Sequence, residues 1–184
     1  MQSLTAANQL TILRVLLIPA FAILLTYNFP GWALLAFVVA GITDLLDGLI
    51  ARWRRQDTTL GAWLDPMADK LLLVTTFVML TIPGLGQANR LPVWLTILVI
   101  SRDVAIVLTV TIINLAVGPR TFKPSVPGKV ATVVYVLTCT VTLFFNYLER
   151  ESAVVDVCVY AALAITLASG LHYIVLARRV IAET

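Results

Sequence analysis

Charged residues are scarce in this chain of 184 residues. They make up 12% of the sequence and hydrophobic residues make up 60%, whereas soluble domains carry about 25% charged residues. This composition excludes a sizeable soluble domain and predicts an all-α, polytopic integral membrane protein. We expect no nucleic-acid partner, because so few charges offer no basic surface for one.

Cysteine and histidine are nearly absent. The two cysteines, Cys139 and Cys158, lie in apolar runs and are predicted to be buried free thiols. The single histidine, His172, lies near the end of the last apolar run and is expected to pack at the membrane interface. A zinc site of thiolates and imidazoles is therefore disfavoured. Residues 1–4 contain no basic n-region, and no small-residue cleavage site lies nearby, so we expect no signal peptide.

Long apolar segments make up most of the sequence. A membrane-spanning helix needs about 20 mostly apolar residues, and six segments meet this requirement. Short polar, proline or glycine-containing breaks separate them, and we expect all six to form one membrane domain, residues 1–184. The predicted helices are 5–27, 32–52, 59–83, 92–117, 127–147 and 153–177.

Basic residues are concentrated in alternate connections between these segments. Arginine and lysine mark the connection from the second to the third segment, the connection from the fourth to the fifth, and the chain after the sixth. The opposite connections carry only two basic residues, one of them between glutamates. The positive-inside rule then places both termini at the cytoplasmic face. The basic residues of that face are Arg52, Arg54, Arg55, Arg120, Lys123, Lys129, Arg178 and Arg179, against Arg90 and Arg150.

Four aspartates lie in or beside strongly apolar sequence around the second connection. A charged side chain inside a bilayer costs roughly 2.5–3.5 kcal/mol, so four of them call for a compensating partner. Asp44 and Asp47 are three residues apart, on one face of the second helix. Asp65 and Asp69 are four apart, on one face of the third helix. Antiparallel helices would place the two pairs opposite each other.

The residue types around this cluster indicate phosphate chemistry. Carboxylate oxygens suit Mg²⁺, Mn²⁺ or Ca²⁺, and four negative charges balance two divalent cations. Two such metals stabilise the attacking and leaving oxygens of a phosphoryl displacement. Gly48 and Gly61 let a bulky ligand approach the backbone, and Arg52, one turn beyond Asp47, is placed to bind a phosphate.

The full pattern, D-x-x-D-G-x-x-A-R-x8-G-x-x-x-D-x-x-x-D, resembles the signature of the CDP-alcohol phosphotransferase family. Eight fixed positions at about one chance in twenty each give a random match on the order of 10⁻¹⁰ per start point. The six-helix layout is also similar, so the resemblance covers nearly the whole chain. The pattern is met by Asp44, Asp47, Gly48, Ala51, Arg52, Gly61, Asp65 and Asp69.

The resemblance implies transfer of a phosphoalcohol from a CDP-alcohol to a hydroxyl acceptor, with release of CMP. It implies two divalent cations, Mg²⁺ or Mn²⁺, and a homodimer. Asp69 would also be the general base. The implied metal ligands are Asp44, Asp47, Asp65 and Asp69, and the implied CDP-binding residues are Asp47, Gly48, Ala51, Arg52, Gly61 and Asp65.

Further sequence segments outside the aspartate motif bear on the identity of the acceptor alcohol. Asn8, Thr11 and Arg14 form an N-x-x-T-x-x-R start that resembles phosphatidylglycerophosphate synthases and eukaryotic-type cardiolipin synthases, which use CDP-diacylglycerol. The runs 101–103 and 123–129 are similar to both, with details that lean toward the cardiolipin branch. Both acceptors carry phosphate. Glycerol 3-phosphate is the first choice and phosphatidylglycerol the second, with Arg102, Lys129, Arg120 and Lys123 as candidate phosphate-binding residues.

Other interpretations of the same residues stay open. The aspartates could pair structurally with Lys70 and the neighbouring arginines, although ion pairing calls for neither the glycines nor the spacing. They could also line the path of a divalent-cation transporter, although Arg52 would hinder cation passage. Arg102 and Asp103 could each pair with another helix. We expect a bacterial plasma membrane, with the active site facing the cytoplasm.

Overall fold

The structure is a computed structural model that describes the backbone of residues 6–54, 59–117 and 126–182. Within these ranges it describes the side chains of 11–44, 67–109, 111, 112, 115 and 126–173. The described ranges form six α-helices and no strand, which confirms the all-α class. The helices are α1 Ala6–Thr26, α2 Pro30–Arg54, α3 Thr59–Thr81, α4 Val93–Val117, α5 Val126–Tyr147 and α6 Ala153–Ala182.

Two described segments are long and apolar enough to cross a bilayer, namely 126–147 in α5 and 153–173 in α6. Shorter apolar stretches cover Thr11–Thr26 in α1 and Pro30–Asp44 in α2. The prediction of six spans is therefore confirmed in part, by the helix count. Threonine hydroxyls within the apolar helices, such as that of Thr76, donate to the carbonyl four residues earlier, so they do not remain unsatisfied in an apolar setting.

Two helices end in the same way. Asn28 follows α1 in a left-handed conformation with φ 60°, and Glu149 follows α5 with φ 52°. In each case the next amide, that of Phe29 or Arg150, donates to a carbonyl five residues back, at 2.8 and 3.1 Å. This Schellman arrangement satisfies the last carbonyls of each helix and turns the chain sharply. At the start of α6, Ser152 acts as the N-cap.

The chain divides into two compact units, and the first comprises Met1–Arg90 and Cys139–Glu151. In this unit α1 packs along both α2 and α3. Small buried residues of α2 at three- and four-residue spacing let α1 approach closely, and the rings of Phe21 and Phe37 meet at 6.1 Å. The small residues are Ala33, Ala36 and Ala40.

One end of the first unit gathers three connections. The side-chain oxygen of Asn146 accepts from the Asn89 backbone N–H at 2.7 Å, and Asn146 donates back to the Asn89 carbonyl at 3.0 Å. Asn89 also donates to the Arg150 carbonyl. A Cβ on Gly86 would lie 3.1 Å from the Asn28 side chain. The α1–α2, α3–α4 and α5–α6 connections are therefore neighbours at this end.

Exposed aromatic residues surround the same end. Phe29, Trp32 and Tyr147 line an open groove of about 570 Å³ between the start of α2 and the end of α5. Each of these side chains is more than half exposed. Exposed aromatic residues near helix ends are typical of the interface between the bilayer and water.

The second unit comprises Leu91–Thr138 and Ser152–Thr184, and in it α4 packs on α6. The hydroxyls of Tyr135 on α5 and Thr166 on α6 are hydrogen bonded at 2.6 Å, and both residues are buried. The cysteines are free thiols as predicted, although only Cys139 is fully buried and Cys158 is partly exposed. The prediction of a single membrane domain stays a prediction.

Candidate active site

Two helices carry the aspartate motif at the positions predicted from the sequence. The α2 helix runs without a break through Asp44 and Asp47, and α3 runs through Asp65 and Asp69. Each pair therefore keeps its helical spacing. The described side chains include those of Asp44 and Asp69. Those of Asp47, Gly48, Ala51, Arg52, Gly61 and Asp65 lie outside the described residues, so their predicted roles stay predictions.

A guanidinium from α1 joins the two described carboxylates. One nitrogen of Arg14 (NH1) donates to Oδ1 of Asp69 at 2.7 Å, and the other (NH2) lies 3.0 Å from Oδ1 of Asp44. The first aspartate of the motif on α2 and the last on α3 are thereby held on the same side chain. Because α1 packs against both α2 and α3, a single arginine reaches both helices.

Burial is unequal across this triad. The Arg14 side chain is 0% exposed, whereas those of Asp44 and Asp69 are 40% and 41% exposed. The guanidinium thus lies on the inner side of the carboxylates, whose outer portions remain accessible. An isolated buried cation is strongly unfavourable, and the two carboxylates compensate this charge. Its position leaves the accessible side of both aspartates open to a ligand.

The buried face of α1 explains why Arg14 points inward. Buried residues recur along α1 at helical spacing, while Ile12, Leu13, Val15 and Leu16 are exposed. The buried face consists of Thr11, Arg14, Phe21 and Leu25. Arg14 was predicted only as part of a subfamily pattern, and its contact with the aspartates was not predicted. The signal was present, since a lone arginine in an apolar run needs an acidic partner.

The described part of the site fits a hard divalent cation. Its two carboxylates offer oxygen ligands, and Arg14 contacts Oδ1 of each. A carboxylate has about four acceptor positions, so one guanidinium contact does not exhaust it. No group of three or more metal-ligating side chains occurs among the described residues, because only Asp44 and Asp69 of the motif belong to them. The prediction of two Mg²⁺ or Mn²⁺ ions stays a prediction.

A second charged cluster lies in the second unit. Arg102 on α4 donates to Asp103 at 2.7 Å and to the hydroxyl of Ser169 on α6, and it stacks 5.8 Å from the ring centroid of Tyr173. The Arg102 side chain is 11% exposed and that of Asp103 is 23% exposed. The structure therefore gives Arg102 partners on its own helix and on α6. Tyr173, whose ring lies beside the Arg102 guanidinium, also packs edge-to-face against the exposed ring of His172.

Of the other three candidate phosphate-binding residues, the structure describes only Lys129. Lys129 is exposed in the first turn of α5. Arg120 and Lys123 lie outside the described residues. Their roles toward an acceptor phosphate stay predictions from the sequence.

Comparison with known proteins identifies relatives along most of the chain. Residues 4–175 match the CDP-alcohol phosphatidyltransferase family. The chain is 36% identical over 183 residues to the Mycobacterium tuberculosis protein named "Probable phosphatidylglycerophosphate synthase", covering 94% of this chain and 81% of that protein. It is also 36% identical over 164 residues to human cardiolipin synthase (CMP-forming), covering 79% of this chain and 53% of the human protein.

Proposed function

The chain belongs to the CDP-alcohol phosphatidyltransferase family, and from this premise we propose that it transfers the phosphatidyl group of CDP-diacylglycerol to an alcohol, releasing CMP. The observation that supports this most directly is the complete aspartate motif on α2 and α3, with Asp44 and Asp69 held on one guanidinium. The family is embedded in the membrane, which agrees with the apolar helices.

In the proposed reaction, the acceptor hydroxyl loses its proton to the carboxylate of Asp69. The acceptor oxygen attacks the phosphatidyl phosphorus, the bond from this phosphorus to the bridging oxygen breaks, and CMP leaves with the electron pair. Asp44, Asp47, Asp65 and Asp69 would hold two divalent cations, which supply positive charge next to the diphosphate. Asp69 suits the role of base because its side chain is 41% exposed and can be reached by the acceptor.

We propose glycerol 3-phosphate as the acceptor, which gives phosphatidylglycerophosphate. The relative named for that product matches nearly the whole of this chain and most of its own length. Phosphatidylglycerol, which would give cardiolipin, is the second candidate, and the human relative supports it over a smaller share of both proteins. Arg102, Lys129, Arg120 and Lys123 are the residues proposed to bind the acceptor phosphate.

The proposed setting is a bacterial plasma membrane. The positive-inside pattern supports a cytoplasmic active site and cytoplasmic termini. A homodimer and a single domain spanning 1–184 complete the proposal, both by family resemblance.

The experiment is CMP release by purified protein in detergent, with CDP-diacylglycerol and either Mg²⁺ or Mn²⁺. Glycerol 3-phosphate, phosphatidylglycerol, inositol phosphate and serine are offered in parallel. We expect release with glycerol 3-phosphate, and a loss of at least 100-fold in Asp69→Asn, because general base catalysis contributes about 10²–10⁴-fold. Asp156→Asn, an exposed aspartate in the first turn of α6, is the matched control and should retain activity.

Absence of CMP release with every acceptor and metal would contradict the proposal and favour a cation transporter. A bulky residue at Gly48 or Gly61 separates these two functions. It should abolish use of CDP-diacylglycerol in the enzyme, whereas a transporter would keep its ion binding. Release with phosphatidylglycerol alone would instead reassign the acceptor and leave the reaction class intact.

A further inference from the structure

We propose that Arg14 is a positioning residue for the divalent-cation site. In this role its guanidinium, on the inner side of the site, fixes the carboxylates of Asp44 and Asp69 in the orientation that binds metal. This inference rests on the proposed function, because it concerns the metal site of that reaction. It assigns a role to a residue outside the aspartate motif, on a helix that contributes none of the motif's positions.

The geometry shows a bridge between two helices. The two terminal nitrogens of Arg14 each contact a different carboxylate, at 2.7 Å for Asp69 on α3 and 3.0 Å for Asp44 on α2. A guanidinium is planar and its nitrogens are rigidly spaced, so the hydrogen bond to Asp69 fixes the direction of that contact and the ion pair with Asp44 restricts the separation of the two carboxylates. Lysine has a single nitrogen on a flexible stem and cannot impose the same geometry.

Burial distinguishes positioning from competition. A cation that competed with the metal would occupy the accessible side of the aspartates, where a metal ion arrives. Arg14 is instead 0% exposed, while each aspartate keeps about two-fifths of its side chain exposed, at 40% and 41%. The guanidinium therefore supports the carboxylates from the interior. Partners of this kind, which contact ligands rather than the metal, typically change metal affinity by about 10–100-fold when removed.

The packing of α1 makes this support rigid. Phe21, two turns beyond Arg14, is fully buried and contacts Phe37 on α2, and Leu25 continues the same buried face. Close-packed side chains resist displacement, so Arg14 is held at a fixed depth against α2 and α3. The metal-binding geometry of α2 and α3 therefore depends on a third helix.

The test measures Mn²⁺ binding to the full chain in detergent, without CDP-diacylglycerol or acceptor. The electron paramagnetic resonance signal of free Mn²⁺ reports how much of the ion is bound. We expect Arg14→Lys to bind Mn²⁺ about 10-fold more weakly or worse, although it keeps the positive charge. Arg14→Gln, which can reach only one carboxylate, should also bind more weakly, and it keeps the test decisive if the lysine variant does not fold. CMP release by Arg14→Lys should require a Mn²⁺ concentration higher by the same factor.

Two control variants distinguish loss of carboxylate positioning from a general loss of protein stability. Arg90→Lys makes the same exchange at an exposed loop residue and should leave Mn²⁺ affinity unchanged. Leu143→Ala removes a fully buried side chain of α5, a helix that carries none of the three ion-paired residues, so it should lower the melting temperature with less than a 3-fold change in Mn²⁺ affinity.

Unchanged Mn²⁺ affinity in Arg14→Lys would overturn the positioning role, and so would tighter binding in Arg14→Gln, which would identify Arg14 as a competing cation. Absence of Mn²⁺ binding by the unsubstituted chain would instead overturn the two-metal mechanism itself. CMP release by the unsubstituted chain shows separately whether the proposed reaction holds.

Discussion

At the level of single residues, Arg14 and Arg102 each form an ion pair with an aspartate. Arg14 contacts two carboxylates on other helices, whereas Arg102 contacts Asp103 beside it and Ser169 on α6. Arginine suits both places because its fork of donors can serve two partners at once. The proposed roles of the two arginines differ. Arg14 is proposed to position carboxylates, and Arg102 is proposed to bind an acceptor phosphate.

Replacing Arg102 by glutamine tests that second role. A charge-assisted hydrogen bond contributes about 1.5–3 kcal/mol, so we expect the KM for glycerol 3-phosphate to rise roughly 10- to 100-fold. The KM for CDP-diacylglycerol should stay within 3-fold. Steady-state CMP release with each substrate varied in turn measures both constants, and Arg90→Gln is the exposed control. Equal changes in both constants would indicate that Arg102 only stabilises α4 against α6.

At the scale of elements, the ends of the helices are stabilised by specific polar contacts. The reciprocal hydrogen bonds of Asn89 and Asn146 tie the α3–α4 connection to the end of α5. Both residues are buried, with 8% of Asn89 and 4% of Asn146 exposed. Buried polar groups without partners are costly, so such a reciprocal pair is sensitive to the loss of either member.

Asn146→Ala should therefore destabilise the protein. It removes the partner of the Asn89 amide and carbonyl, and we expect a loss of about 1–3 kcal/mol in the free energy of unfolding in detergent. Thr111→Ala, at an exposed hydroxyl that bonds only its own helix, is the control and should change stability by less than about 0.5 kcal/mol. Equal stability of Asn146→Ala and the unsubstituted chain would show that the pair contributes nothing net.

Two glycines allow a matched comparison of backbone effects. A Cβ at Gly41, inside α2, and one at Gly84, after α3, would both meet open space, but Gly84 has φ +88°. Alanine at Gly41 should stabilise the helix by about 0.5–1 kcal/mol. Alanine at Gly84 should destabilise by about 1–2 kcal/mol, because a side chain disfavours the left-handed backbone. Thermal unfolding of both variants measures the difference, and the same sign for both would contradict this explanation.

At the scale of the whole molecule, the three connections gathered at one end of the first unit bear on the membrane topology. Asn28, Gly86 and Asn89 belong to the first two of these connections, and Arg150 belongs to the third. Three alternate connections lie on one side of a bilayer when every helix crosses it. From this grouping and the positive-inside pattern we expect that end to lie opposite the cytoplasm.

Labelling of single cysteines tests the orientation. In a background with Cys139 and Cys158 replaced by serine, Glu151→Cys should react with a membrane-impermeant maleimide in intact spheroplasts. Asp57→Cys, in the connection after Arg54 and Arg55, should react only after permeabilisation. The reverse pattern would place the aspartate site on the outer side and contradict the positive-inside assignment.

The helices and the aspartate motif could be predicted from the amino-acid sequence alone. Apolar runs of about 20 residues can satisfy their backbone groups inside a bilayer only as helices, so run lengths predict elements closely. Thr59 was predicted and observed as the start of α3, and Tyr147 as the end of α5. The spacing of the aspartates followed from the same helical period, and the family match agrees with the resemblance that this spacing carried.

Which charged side chains form ion pairs between helices could be seen only in the tertiary structure. The Arg14 contacts join positions 55 residues apart for Asp69, and no local pattern encodes a partner at that distance. The contact arises because small residues on α2 let α1 approach, and that approach turns one buried face toward both aspartates. Arg102 likewise reaches Ser169, 67 residues away, because α4 packs on α6. Periodicity predicts which face a residue occupies, whereas helix packing decides what that face contacts.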